Sequence, residues 1–153
     1  MTLKLATPAL ENPEFYVPGL PTDWVTARYG IPVDEVAKLG SAENPFGPSP
    51  KAMAAITHEL GNIHMYASWT AEPLRDALAE KYGYVPENFV CGSGETEVIA
   101  LIIRAYAEPG GKVLMTRPCF PMYHLFAEAE GRQPVYLDTP TMSCDVDAYL
   151  DAI

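Results

Sequence analysis

The chain of 153 residues is poor in positive charge, with 10 lysines and arginines against 20 aspartates and glutamates. The resulting formal charge of −10 repels polyanions, which disfavours nucleic acid and anionic membrane surfaces as partners. Cysteine is scarce too. Cys91, Cys119 and Cys144 are odd in number and lack metal-ligand spacing, so reduced thiols account for them and no disulfide is needed. His58, His64 and His124 share no ligand spacing either, which favours surface or packing roles over a metal site. Nowhere do about eighteen apolar residues follow one another, and Met1 to Leu10 carries one lysine with no apolar run of signal length. The expectation is a soluble cytoplasmic protein.

What is present suits a globular α/β protein. Hydrophobic residues make up 48% and charged residues 20%, and a domain of this length buries roughly 70% of its unfolded surface. The chain is organised around Phe89 to Tyr123. Phe89-Val90-Cys91 is a short apolar run expected to be a strand, and Gly92-Ser93-Gly94-Glu95-Thr96-Glu97 turns it into a helix. Val98 to Ala107 is apolar on nearly every face, which predicts a fully buried helix. Its first turn leaves backbone N–H groups without partners, and the small residues Gly92, Ser93 and Gly94 let an anion such as a phosphate approach them. A dinucleotide fingerprint wants a third glycine where Glu97 stands. A Walker loop wants Gly-Lys-Ser/Thr, and no lysine lies between Lys81 and Lys112. A turn that merely joins strand to helix is the bland alternative.

Upstream, residues 1 to 21 are proline-rich and read as an extended arm. Thr22 to Tyr29 predicts a short helix capped by Thr22 and stopped at Gly30, and Val36 to Leu39 a strand. Glu43-Asn44-Pro45-Phe46-Gly47-Pro48-Ser49-Pro50 must be a shaped loop, because its prolines remove donors and break periodicity. Ser49 then caps, and Pro50 opens, a helix ending near Gly61 with Met53, Ile56 and Leu60 on its apolar side. The aromatic loop His64 to Trp69 reads by default as packing. Thr70 to Tyr82 is a helix stopped by Gly83. Downstream of the central helix come a strand (Lys112 to Thr116), a loop (Arg117 to Pro121), a helix (Tyr123 to Glu130) and a strand (Pro134 to Leu137). This alternation implies a parallel-rich sheet covered by helices on both faces, with ligands beyond the carboxyl ends of its strands. Arg104, on an apolar helix, reads as a buried ion-pair partner, and Tyr123 either lines a pocket or simply begins its helix. Asp145 to Ile153 starts a helix inside which the chain stops, as a truncated polypeptide would.

Taken in order, Tyr16-Val17-Pro18-Gly19, Glu43 to Pro50, Tyr66, Leu74-Arg75, Gly92 to Glu97, Arg104-Ala105, Pro118-Cys119-Phe120 and Tyr123 resemble the histidinol-phosphate aminotransferases. These belong to the pyridoxal-phosphate enzymes of the aspartate aminotransferase fold. The resemblance covers the N-terminal portion of that family. It implies an arm and small-domain segment over residues 1 to 35, then an incomplete large cofactor-binding domain over 36 to 153. It places the cofactor phosphate on Gly94, Glu95 and Thr96, Phe120 over the pyridine ring, and Tyr66 against the phosphate of a neighbouring subunit's cofactor, which implies a homodimer. Glu43 and Asn44 are implied to approach the substrate, histidinol phosphate or a related amino acid exchanging its amino group with a 2-oxo acid in histidine biosynthesis. The chain departs from the family at Ala42, Ala67-Ser68 and Thr96, where the family has Asn, Pro-Asp and Asp; these changes bear on substrate identity. Transamination also needs a lysine to bind the cofactor aldehyde and shuttle a proton. Lys4, Lys38, Lys51, Lys81 and Lys112 all lie outside the Ser-x-x-Lys setting the family uses, so this chain alone is expected to be inactive. The rival readings are a non-catalytic phosphate-ligand binding module and an S-adenosylmethionine-dependent methyltransferase. No acidic residue precedes Gly92 within its strand, which counts against the latter.

Overall fold

The computed structural model describes Glu11 and residues 13–140, 143 and 145–153. Cys144, Lys4 and the first part of the proline-rich arm lie outside the described residues. The chain forms two compact units. One is Val17–Trp69; the other joins Thr70–Ile153 to the described residues up to Tyr16.

In the Val17–Trp69 unit, α1 spans Thr22–Tyr29 and closes at Gly30, whose N–H donates to the Thr26 carbonyl. The N-cap position lies one residue earlier than expected, at Pro21. The Pro21 carbonyl accepts from Val25 N–H at 3.1 Å, so Thr22 is already helical and caps nothing. Val36 to Leu39 is not a strand. It follows a single 3₁₀ turn, Val33–Glu35, and has no strand beside it among the described residues to complete a ladder. α2, Pro50–Glu59, is opened as expected by the Ser49 hydroxyl, which accepts from Ala52 N–H at 3.1 Å. Its apolar side is uncovered: Met53, Ile56 and Leu60 are all exposed, as are Met65, Tyr66 and Trp69 in the aromatic loop. Packing within the described residues does not explain that loop.

The second unit holds the core. α3, Glu72–Tyr82, ends at Gly83, and the Arg75 guanidinium ties it to the Pro86 carbonyl at 2.8 Å. α4 spans Glu95–Tyr106, β1 Lys112–Arg117, α5 Met122–Ala129, β2 Gln133–Asp138 and α6 Val146–Ala152. β1 and β2 pair in parallel, Lys112 against Gln133 through Arg117 against Asp138, with α5 as the crossover. Ile99 and Ile103 of α4, Met115 of β1 and Ala127 of α5 form the buried cluster, flanked by Val113, Met122 and Phe126. Alternation along β1 then sends Leu114 and Thr116 to the other face of the sheet. Two expectations are corrected here. α4 is buried on one face only, since Leu101, Ile102 and Tyr106 are exposed. Phe89 to Cys91 is extended at Phe89 but not a strand, because no described segment pairs with it and Val90 is 70% exposed.

α4 and α5 are pinned at their carboxyl ends by charge. Glu130 Oε1 accepts from Arg104 Nε at 2.8 Å and Nη2 at 2.5 Å. Arg132 Nε and Nη2 donate to the Ala107 carbonyl, which closes α4, at 3.1 and 2.9 Å. A cation there satisfies an orphan carbonyl and opposes the helix dipole. Arg104 is thus the ion-pair partner expected of it, but at 59% side-chain exposure it is not buried.

Candidate functional site

The turn before α4 is built to leave donors free. Gly94 occupies the N-cap position with φ 83° and ψ 178°, a conformation open to glycine, and offers no side chain to cap the helix. The N–H groups of Glu95, Thr96 and Glu97 accordingly find no acceptor among the described residues, and the space beside Gly94 is empty to 4 Å. Ser93 N–H, one step earlier, is taken by the Glu97 carboxylate reaching back across the turn. That reach explains Gly92: a Cβ there would stand 2.9 Å from Glu97 Oε2 and 3.2 Å from Val98 Cγ2. Glu97 therefore shapes the turn and is more than the residue that stands where a third glycine is missing. Its place three residues after the cap is the spacing of a capping-box acid, a signal already in the sequence. An anion meets a helix N-terminus with open donors and a glycine that permits close approach, so these residues fit a phosphate group.

The loop after β1 comes back to this turn. The Arg117–Pro118 peptide is cis, and the chain enters α5 through Phe120 and Tyr123. Tyr123 Oη donates to Glu95 Oε1 at 3.4 Å across 28 residues of sequence. Burial, then the Glu95 charge and hydrogen bond, then Cys119, push the Tyr123 phenol above its ordinary pKa. Phe120 meets Tyr123 edge-on, ring centres 6.3 Å apart at 90°, and meets Tyr16 edge-on at 6.1 Å and 76°. Tyr123 also lines a concavity of about 260 Å³ with Leu114, Thr116, Cys119 and Tyr149 at the carboxyl half of β1. It lines a pocket as well as opening its helix. Gly94, Glu95, Thr96 and Phe120 thus lie within one unit, at the end of the sheet where α/β proteins hold ligands.

Glu43, Asn44 and Tyr66 lie in the other unit. Asn44 Oδ1 accepts from Phe46 N–H at 3.0 Å while its Nδ2 donates to the Gly47 carbonyl at 3.2 Å, which fixes the shaped loop. Glu43 pairs with Lys38 Nζ at 2.8 Å beside a concavity of about 510 Å³ lined by Val36 to Leu39 and Ala42 to Pro45. Tyr66 is fully exposed.

A parallel βαβ unit with a glycine-capped helix and an aromatic loop meeting at the carboxyl edge defines an α/β protein with an edge fit for an anionic ligand. The chain belongs to the aminotransferase class I and II family, whose sequence profile matches residues 34–153. It is 43% identical over 121 residues to the histidinol-phosphate aminotransferase of Dinoroseobacter shibae, covering 79% of this chain and 34% of the relative. The histidinol-phosphate aminotransferase of Symbiobacterium thermophilum is 35% identical over 137 residues, 90% of this chain and 37% of the relative. The chain thus spans about a third of the length of the curated relatives it matches. Among solved structures, histidinol-phosphate aminotransferase from Sinorhizobium meliloti in complex with pyridoxal-5'-phosphate superposes with a TM-score of 0.81 at 24% identity, over 99% of this chain and 39% of that one. A putative histidinol-phosphate aminotransferase from Erwinia carotovora atroseptica gives 0.63 at 24% identity, over 72% and 33%. The likeness in fold is to aminotransferases, and nothing in these matches favours a methyltransferase. No helix among the described residues is long and apolar enough to cross a membrane.

Proposed function

We propose that the chain is the N-terminal segment of a cytoplasmic, homodimeric, pyridoxal-phosphate-dependent aminotransferase acting on histidinol phosphate or a related amino acid with a 2-oxo acid. The observation that carries this reading is the glycine-capped start of α4, with unclaimed N–H groups, set against the Phe120–Tyr123 loop. When bound, the cofactor supplies the electron sink that transamination requires. In this reading the Glu95 and Thr96 N–H groups donate to its phosphate, the Thr96 hydroxyl adds a donor, and Phe120 offers its face to the ring. Glu43 and Asn44 approach the substrate, and Tyr66 donates to the phosphate of the neighbouring subunit's cofactor. Residues 1–35 serve as arm and small-domain segment, and 36–153 as part of the large domain.

The covalent step is proposed to fall outside this chain. Lys38 is paired with Glu43, Lys81 stands 5.3 Å from the Tyr82 ring centre, and Lys51 lies on α2. Lys112 starts β1, about 17 Å of strand away from the loop that carries Phe120. Borohydride treatment of the chain with pyridoxal phosphate should therefore leave no labelled lysine, and one stoichiometric label would refute this. The cradle is tested by titration calorimetry with phosphate. Gly94→Val should abolish binding, because Val cannot hold φ 83° without strain and narrows the approach, whereas Thr96→Ser should be mild. Equal affinity in Gly94→Val and the unaltered chain would remove the reading.

A further inference from the structure

We infer that Tyr123 is a positioning residue, setting the separation between the anion-binding turn at Gly94–Thr96 and the ring-facing side chain of Phe120; this rests on the cofactor reading proposed above. Among the described residues, Tyr123 is the side chain seen to touch both parts. Its hydroxyl bonds the Glu95 carboxylate at the first residue of α4, and its ring holds Phe120 edge-on at 6.3 Å. Tyr16 also meets Phe120 edge-on, so two aromatic rings contact it. The turn and the loop are 28 residues apart in sequence and belong to different helices, and the Tyr123–Glu95 bond is the side-chain hydrogen bond between them among the described residues. A ligand with a phosphate at one end and an aromatic ring at the other has to satisfy both parts at once. An isolated phosphate has to satisfy only the turn.

That difference separates positioning from general structural support. Pyridoxal phosphate and inorganic phosphate are titrated into the unaltered chain, Tyr123→Phe, Glu95→Gln, Glu95→Ala and the Tyr123→Phe/Glu95→Ala double variant. The readout is the ratio of the two affinities, with circular dichroism as the check on folding. Tyr123→Phe keeps the ring contact and loses the bond, so the ratio should fall about three- to tenfold, below the usual range for a bond to a carboxylate because this one is long at 3.4 Å. Glu95→Gln keeps an acceptor and should keep the ratio, even if loss of its charge raises both affinities together. Glu95→Ala should match Tyr123→Phe, and the double variant should add nothing. An unchanged ratio in Tyr123→Phe overturns the inference while leaving the cradle intact. A parallel fall for both ligands also overturns it, since that is what structural damage alone produces. Binding of neither ligand by the unaltered chain overturns the cradle reading, and the inference with it.

Discussion

Ala42 holds a left-handed backbone, φ 50°, which a Cβ disfavours by roughly 1 kcal/mol. The family resembled in the sequence has Asn at this position, and Asn tolerates that conformation because its short polar side chain can bond locally. Ala42→Asn should therefore stabilise the Val17–Trp69 unit by about 0.5–1 kcal/mol, and Ala42→Val should destabilise it by more than that. Trp24 and Trp69 both lie in this unit, so tryptophan fluorescence during urea unfolding reads it selectively. Equal midpoints for the Asn and Val variants would show that the backbone there is not strained. A strained residue of this kind is hard to read from sequence, because the departure at Ala42 does not reveal a left-handed backbone until that backbone is seen. The shaped loop around Asn44 was legible, since its prolines and glycine rule out regular structure, whereas the bonds from the Asn44 side chain to the backbone two and three residues on were not read. Gly94 was legible for the same kind of reason, while the use of Glu97 was hidden by comparing it with the glycine of another motif.

Among the elements, helices announced by caps and stops agree closely with their expected spans, because those signals act within a few residues: Ser49 and Pro50 for α2, Gly83 for α3, Asp145 for α6, whose carboxylate accepts from Ala148 N–H at 3.1 Å. The two segments wrongly read as strands, Val36 to Leu39 and Phe89 to Cys91, fail for the opposite reason. A strand needs a partner, and propensity carries no information about whether one is present. The burial of α4 on one face is the same lesson, since an apolar surface does not state what covers it. What anchors α4 is partly ionic, and this gives a pH dependence. Hydrogen bonding from Arg104 is the main cause that holds Glu130 below its ordinary carboxyl pKa. Because the folded value is the lower one, the pair stabilises the fold fully above the ordinary carboxyl range. The contribution is lost as pH falls through the folded value. Thermal midpoints of the unaltered chain should thus fall on acidification below about pH 4.5 more steeply than those of Glu130→Gln, which has no such charge to lose. Identical acid profiles would mean that the contact between Arg104 and Glu130 does not contribute in solution. Replacing Arg132 by Met should cost more than Glu130→Gln, roughly 1.5–3 kcal/mol, because it strips both donors from the Ala107 carbonyl at the end of α4.

For the whole molecule, the proposed cross-subunit role of Tyr66 is the reading that reaches furthest beyond one chain. The sequence suggested it only through resemblance, because a tyrosine in an aromatic loop is otherwise a packing residue. The geometry removes that alternative within the described residues: Tyr66 is fully exposed, and its hydroxyl has no partner there. A side chain that buries nothing in its own fold can be altered without loss of stability, so Tyr66→Phe should leave the unfolding midpoint within about 0.5 kcal/mol. In the proposed dimeric enzyme the same substitution should weaken cofactor retention by roughly 1.5–3 kcal/mol, the value of a hydrogen bond to a charged acceptor, or about ten- to a hundredfold in affinity. Mixed dimers locate the effect. Subunits carrying Tyr66→Phe are paired with subunits in which the cofactor-binding lysine is replaced, so that one lysine-bearing site remains per dimer. If Tyr66 serves its own subunit, that site belongs to the Phe-bearing chain and loses the contact. If it serves the neighbour, the tyrosine comes from the lysine-deficient chain and the site keeps wild-type retention. Weak retention in these dimers, together with normal retention when both substitutions sit on one chain and the partner is unaltered, would place Tyr66 in its own subunit's site and sink the cross-subunit reading.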